Sequence, residues 1–284
     1  MSQTANRSTC PSLYDTAWIS RASAMAPSGS WARDVIETLS GSGGAYLGTL
    51  RTWYDCYPVA SAWLTNALES FANPDHLGAV NELFWWEFMR LVNWSAQVLP
   101  PGTQKRPDFQ VLRPAEFYIE VTTLNISDAD KKAFSAGRTV GLNHSDSMER
   151  TLRKITDEKV DQIQFGAAQG RASVMVMFDY TLWSSFATHF YLALAERLLG
   201  ADMVFRILPS DLSAIAYIER KVVDGRVALT VNRSAVYHNP EASHKIPTDV
   251  FRMFRQYSMG PVETPPIHSL ADQNGWMWVK ARQA

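Results

Sequence analysis

The chain has 284 residues, 46% of them hydrophobic and 12% aromatic, which is enough to bury one large core or a core with an elaboration. A formal net charge of −1 argues against a broad electrostatic footprint for polyanions, although a local basic groove fits within a neutral total. No apolar run approaches the roughly 20 residues that span a bilayer, and Met1 to Cys10 lacks the apolar centre of a secretory signal, so the expectation is a cytoplasmic protein without a membrane partner. Cys10 and Cys56 are too few for a disulfide framework or a cysteine zinc site, and the six histidines show no ligand spacing.

In chain order, residues 1–30 are rich in Ser, Ala and Pro, and the island from Leu13 to Trp18 predicts an arm held by a few anchors. Tyr14-Asp15-Thr16-Ala17-Trp18 resembles a short segment near the start of diterpene cyclases. With neither an Asp-X-Asp-Asp nor an Asp-Asp-X-X-Asp motif anywhere, that likeness carries no function. A flexible break at Ser40 to Gly44 precedes helical spacing around Trp53, Tyr57 and Trp63. Gly78 to Val98 predicts one long buried helix stopped by Pro100-Pro101. Within it Glu87 has Arg90 as a surface partner, whereas Glu82 has Trp85 and Trp86 at the partner positions. A place in the first helical turn, favoured by the helix dipole, is the structural explanation for Glu82.

Phe109 to Leu112 and Phe117 to Val121 read as two strands joined through Arg113 to Glu116. With Pro114 at the centre, Asp108 falls opposite Glu120, and opposed residues share a sheet face with Cβ atoms roughly 5 Å apart. Such a like-charge pair invites a hard divalent cation held by oxygens at about 2.0 to 2.6 Å. Beyond the hairpin, residues 126–146 predict a loop or short helix over a sheet edge. Residues 147–166 predict an amphipathic helix bearing Arg150, Arg153, Lys154 and Lys159, whose structural role would be a solvated face paired with Asp157 and Glu158. Ala172 to Tyr180 reads as a buried central strand, Ser184 to Leu199 as a helix and Met203 to Leu208 as a strand. Asp224-Gly225 reads as a hairpin turn between Ala214–Arg220 and Arg226–Val231, a hairpin that either extends the sheet or forms a separate flap. The tail from Tyr237 predicts a helix at Thr248 to Tyr257 and otherwise a surface wrap.

The order of a helix with Glu82, a hairpin with Pro107-Asp108 and Glu120-Val121-Thr122, a helix with Lys159 and then a buried strand resembles the PD-(D/E)XK, or restriction-endonuclease-like, nuclease superfamily over residues 78–180. The resemblance implies an α/β fold: a mixed central sheet flanked by helices, with an N-terminal helical preface (1–75), a nuclease-like core (76–236) and a C-terminal extension (237–284). It also implies that Asp108, Glu120 and Glu82 hold Mg2+ or Mn2+. The superfamily's lysine position is occupied here by Thr122, which carries no charge. Some members move the lysine to the following helix, and Lys159, or next to it Lys154, stands where a migrated residue would be, with Gln162 one turn beyond.

The expected function is a metal-dependent endonuclease hydrolysing phosphodiester bonds, with DNA favoured over RNA as partner and a homodimer allowed. Arg150, Arg153 and Lys154 would contact backbone phosphates. The alternative is a nuclease-fold module that lost catalysis with its lysine and binds nucleic acid or a protein through Trp85, Trp86, Trp183 and Tyr237.

Overall fold

The structure, a computed structural model, describes residues 13–26, 28, 36, 45–59, 61–70, 74–100, 102, 104–124, 128–136, 138, 152–178, 208–223, 226–258 and 276–278. Arg150, Trp183, the glycine-rich break, the Ser184–Leu199 helix and all but Leu208 of the Met203–Leu208 strand lie outside them.

Among the described residues the N-terminal helices are α1 (Thr16–Met25), α2 (Ala45–Cys56), α3 (Ala62–Glu69) and α4 (Pro74–Leu91). The Asp15 side chain accepts from the Trp18 backbone N–H and starts α1, so the cyclase-like island is a helix N-cap. Leu13 and Tyr14 are the predicted anchors: both are buried, and the Tyr14 hydroxyl donates to the Leu68 carbonyl at 2.8 Å. Trp53 and Tyr57 join the core, but Trp63 stands 56% exposed.

α4 is the spine of the molecule. Leu83, Phe84, Trp85, Phe88 and Met89 are all buried, with α2 and α3 on one side and the sheet on the other. It ends earlier than the proline pair suggested. Asn93 takes a left-handed φ of 60°, and the Trp94 N–H donates to the Met89 carbonyl at 2.9 Å, a C-terminal cap of the kind Asn tolerates. Released by that reversal, Ser95–Val98 forms strand β1 instead of a last helical turn. Glu87 does pair with Arg90, at 2.7 Å, but Glu87 is buried, so this is not a surface pair.

The hairpin forms from β2 (Phe109–Arg113) and β3 (Phe117–Thr123), antiparallel with Phe109 against Ile119 and Val111 against Phe117. One further step in this register sets Asp108 across from Glu120. α5 (Asp128–Ser135) follows, then a π-helical turn at Lys154–Glu158, α6 (Val160–Ala168) and β4 (Ala172–Phe178). The remaining strands are β5 (Leu212–Ile218), β6 (Arg220–Val223), β7 (Arg226–Thr230), β8 (Ala235–His238), β9 (Arg255–Ser258) and β10 (Trp276–Trp278).

Seven strands make one mixed sheet in the order β1-β2-β3-β4-β5-β8-β9, and β10-β7-β6 make a smaller one. β4 is the predicted buried strand, parallel to both β3 and β5. Its alternation sorts the core: Val174, Val176 and Phe178 pack with α4, whereas Met175 and Met177 pack with Leu152, Ile155 and Ile163 on the other face.

Three expectations are corrected here. Ala214 to Ile218 belongs to the main sheet, so the hairpin at 224–225 is β6–β7 alone. Thr248 to Tyr257 is not a helix: Thr248–Phe251 is a 3-10 turn and β9 pairs with β8 in parallel. The described part of the tail therefore joins the sheets, β9 beside β8 and β10 beside β7. Among the described residues no helix is long and apolar enough to cross a membrane.

Candidate functional site

Sheet alternation decides which hairpin side chains face the site. Phe117, Ile119 and Phe109 point to the α4 face, so Glu120, Thr122 and Asp108 turn to the face that carries α6. Lys159 reaches the same place because of the π-helical turn. Its N–H donates to the Lys154 carbonyl at 2.9 Å, one residue further back than in an α-helix, and its φ of −110° and ψ of 11° interrupt the helix before α6 begins. The break frees the Lys159 side chain to meet Glu120, and its ammonium donates to Glu120 Oε1. Glu82 comes from the middle of α4, more than two turns beyond Pro74, so the helix dipole does not account for it. The Tyr57 hydroxyl donates to Glu82 Oε1.

Glu82, Asp108, Glu120, Thr122, Lys154 and Lys159 line one cavity of about 400 Å³. Arg153 is exposed and outside it. Gln162 lines a second cavity of about 280 Å³, which shares Glu82, Asp108 and Trp63 with the first.

The carboxylates resist ionisation. Burial pushes Glu82 up to about 8, helped by the Asp108 charge and opposed by the Tyr57 hydrogen bond. Burial likewise raises Glu120 to about 8; Asp108 and Glu82 add to the shift, and Lys159 opposes it. Asp108 rises to about 6 through burial, checked by the Val121 N–H, which donates to its Oδ2 at 2.7 Å, and by Lys159. Burial alone would lower Lys159, yet Glu120 and Asp108 hold it above its ordinary value. Lys159 is thus an ammonium embedded among acids.

The donor set suits a hard divalent cation, since all three acids offer oxygen and Glu120 Oε2 is buried without a hydrogen-bond partner. The grouping is another matter. Among the described residues no three Asp, Glu, His or Cys side chains are gathered tightly enough to hold a metal ion. Lys159 occupies one oxygen of Glu120 and Tyr57 one oxygen of Glu82, so a cation would sit on Asp108 and the spare Glu120 oxygen, with Glu82 turning away from Tyr57 to join.

No family model, curated protein or solved structure matches this chain. What the site can do has to be read from its own side chains.

Three of those residues carry no signal in the sequence. Tyr57 lies 25 positions from Glu82 and looks like any aromatic at helical spacing. Asn81 is buried beside Glu82, accepts from Arg220 Nε at 2.5 Å and donates to Thr123 Oγ1 at 2.9 Å, which ties the helix to the end of β3. Trp63, in the sequence only one of the aromatics at helical spacing, is on the rim of both cavities. Conversely Trp85 and Tyr237, which the binding-only reading used as surface anchors, are buried.

Proposed function

We propose that this protein is a metal-dependent nuclease of the PD-(D/E)XK kind whose lysine has moved from the strand to the following helix. One observation supports this above the others: Glu82, Asp108, Glu120 and Lys159, widely spaced in the chain and contributed by a helix, both arms of a hairpin and a π-helical break, line one cavity. A restriction-endonuclease-like arrangement of the mixed sheet and its flanking helices belongs to the same proposal.

Asp108 and Glu120, with Glu82, are the residues that would hold Mg2+ or Mn2+. When bound, such an ion polarises a phosphate oxygen and lowers the pKa of a bound water. Lys159 presents its ammonium beside these acids, where it offsets charge that develops on the phosphoryl oxygens. Thr122, buried on the same strand face, contributes a hydroxyl but no charge. Lys154 lines the same cavity and adds a second cation for the phosphate.

The test is cleavage of single-stranded and duplex DNA and of RNA in Mg2+ or Mn2+. Asp108→Asn and Glu120→Gln should each abolish cleavage, and Lys159→Ala should lower the rate by about 10²–10³-fold, the usual loss for one charge-stabilising group. Wild-type activity unchanged in Asp108→Asn would sink the assignment. The absence, among the described residues, of a ready grouping of three ligands favours a second reading, a catalytically inactive nuclease-fold module that binds nucleic acid or a protein. Calorimetric titration with Mn2+ separates the two, because a site that has lost its metal gives no heat.

A further inference from the structure

The second cavity meets the first at Glu82, Asp108 and Trp63, and away from those acids its lining is specialised. Trp63 follows Ser61 and Ala62 at the start of α3, where the Ser61 side chain accepts from the Leu64 N–H, and its indole is 56% exposed on the rim between the two cavities. An open tryptophan face on a cavity rim offers apolar surface on which a flat ring can stack. Gln162 Oε1, in the lining of the same cavity, is buried and lacks a hydrogen-bond partner. A buried acceptor without a donor is destabilising until a ligand N–H fills it. Lys105 and Arg106 complete the wall. Lys105 meets Asp161 at 3.5 Å with both side chains more than half exposed, a weak pair that a phosphate can displace. The Arg106 guanidinium lies 5.9 Å from the centre of the Phe165 ring, a cation–π contact that positions it without neutralising its charge.

We infer that this second cavity seats one unpaired nucleobase of a strand whose adjoining phosphate lies over Asp108 and Glu120, so that the substrate class is single-stranded nucleic acid. The inference rests on the nuclease reading above and names the substrate of that site. An aromatic face stacks on any base. Every base also carries an N–H on its pairing edge, and Gln162 Oε1 is the acceptor that edge would find. A base inside a duplex offers neither a free face nor a free pairing edge, and a cavity of about 280 Å³ suits one base rather than a helix. Lys105 and Arg106 then meet the next phosphate along the strand.

The experiment measures anisotropy of a fluorescein-labelled DNA nonamer, single-stranded or annealed, against the full chain with Ca2+ in place of Mg2+, alongside the cleavage assay. Wild type should bind the single strand more tightly than the duplex. Trp63→Ala should weaken single-strand binding by about tenfold or more, the effect of losing one stacked base, while Trp63→Phe keeps it within about threefold. Gln162→Leu, which retains shape and removes the acceptor, should also weaken it. Circular dichroism of each variant verifies folding.

Equal binding by wild type and Trp63→Ala, or a preference for duplex, overturns the inference while the effect of Asp108→Asn on cleavage still judges the nuclease reading. Trp63-dependent binding without any cleavage keeps the base seat and overturns catalysis. A chain that neither binds nor cuts overturns both.

Discussion

Glu82 and Glu120 bind a proton far more readily in the folded chain than a glutamate in water, because burial and the neighbouring Asp108 disfavour their charge. The sign of the consequence follows from which state holds more protons. Between the ordinary value of 4.5 and the folded value of about 8, the native state is the more protonated one, so stability falls as pH rises through that window. The contribution is fully present below pH 4.5 and lost above about 8. Thermal unfolding of metal-free protein should therefore show a Tm that declines from pH 5 to 9, and Glu120→Gln, which stays neutral, should flatten the decline. An Mn2+-dependent rise in Tm should grow with pH over the same range, since the ion replaces protons on the acids. A Glu120→Gln profile as steep as that of wild type would contradict the burial of this carboxylate.

At this scale the sequence was unevenly legible. Asp108 and Glu120 could be paired from the alternation of two short strands about Pro114, because a period of two leaves no freedom once the turn is known. Lys159 could be named as a candidate but not positioned, since nothing in Lys154 to Glu158 announces a π-helical turn. Tyr57 and Asn81 act on Glu82 and Thr123 through tertiary contacts alone, and no local pattern encodes a contact between residues 25 or 42 apart.

Among the elements, α6 holds Lys159 in register with Glu120 only if it lies close to the sheet. Gly166 permits that approach. A Cβ at this position would come 2.2 Å from Ser173 Oγ and 3.1 Å from Tyr118 Cδ2, and Ser173 Oγ is already committed to the Ile163 carbonyl at 2.7 Å. Gly166→Ala gains helix propensity of about 1 kcal/mol but forces the helix off the strands, so the net loss should be about 1–3 kcal/mol, read from the urea midpoint at constant m. A stabilised variant would mean that the helix is free to shift.

The ends of elements were the least legible part. α4 stops at Asn93 through a left-handed cap, whereas the prolines at 100 and 101, the louder signal, follow a strand. The segment 248–257 carries helical spacing of apolar residues, yet Arg255–Ser258 pairs with β8, where main-chain hydrogen bonds to a neighbouring strand outweigh weak local preference.

For the whole molecule, the strongly apolar strand β4 and the spine helix α4 were foreseeable, because continuous apolar runs have only the interior to go to. Of the second sheet, the sequence announced the hairpin β6–β7 as a candidate separate flap but neither β10 nor the joint to the core. Arg220 is buried at its edge, donates to Asn81 and lies 5.5 Å from the centre of the Phe178 ring, so it fastens the small sheet to α4 and to the main sheet at once. That joint connects to the candidate site through Asn81 and Thr123, both of which line the larger cavity. The mixed sheet thus has two attachments near the candidate site, the π-helical break that brings Lys159 to Glu120 and the Arg220 joint that reaches it through Asn81 and Thr123.

The most direct test of the account is anomalous scattering from crystals of the protein soaked in Mn2+. The account predicts one strong peak between Asp108 and Glu120 with oxygen distances of about 2.0 to 2.6 Å, Glu82 released from Tyr57 towards the ion, and Lys159 Nζ beside it. Saturating Mn2+ that leaves Lys159 on Glu120 and Tyr57 on Glu82, with no peak at these acids, would contradict it.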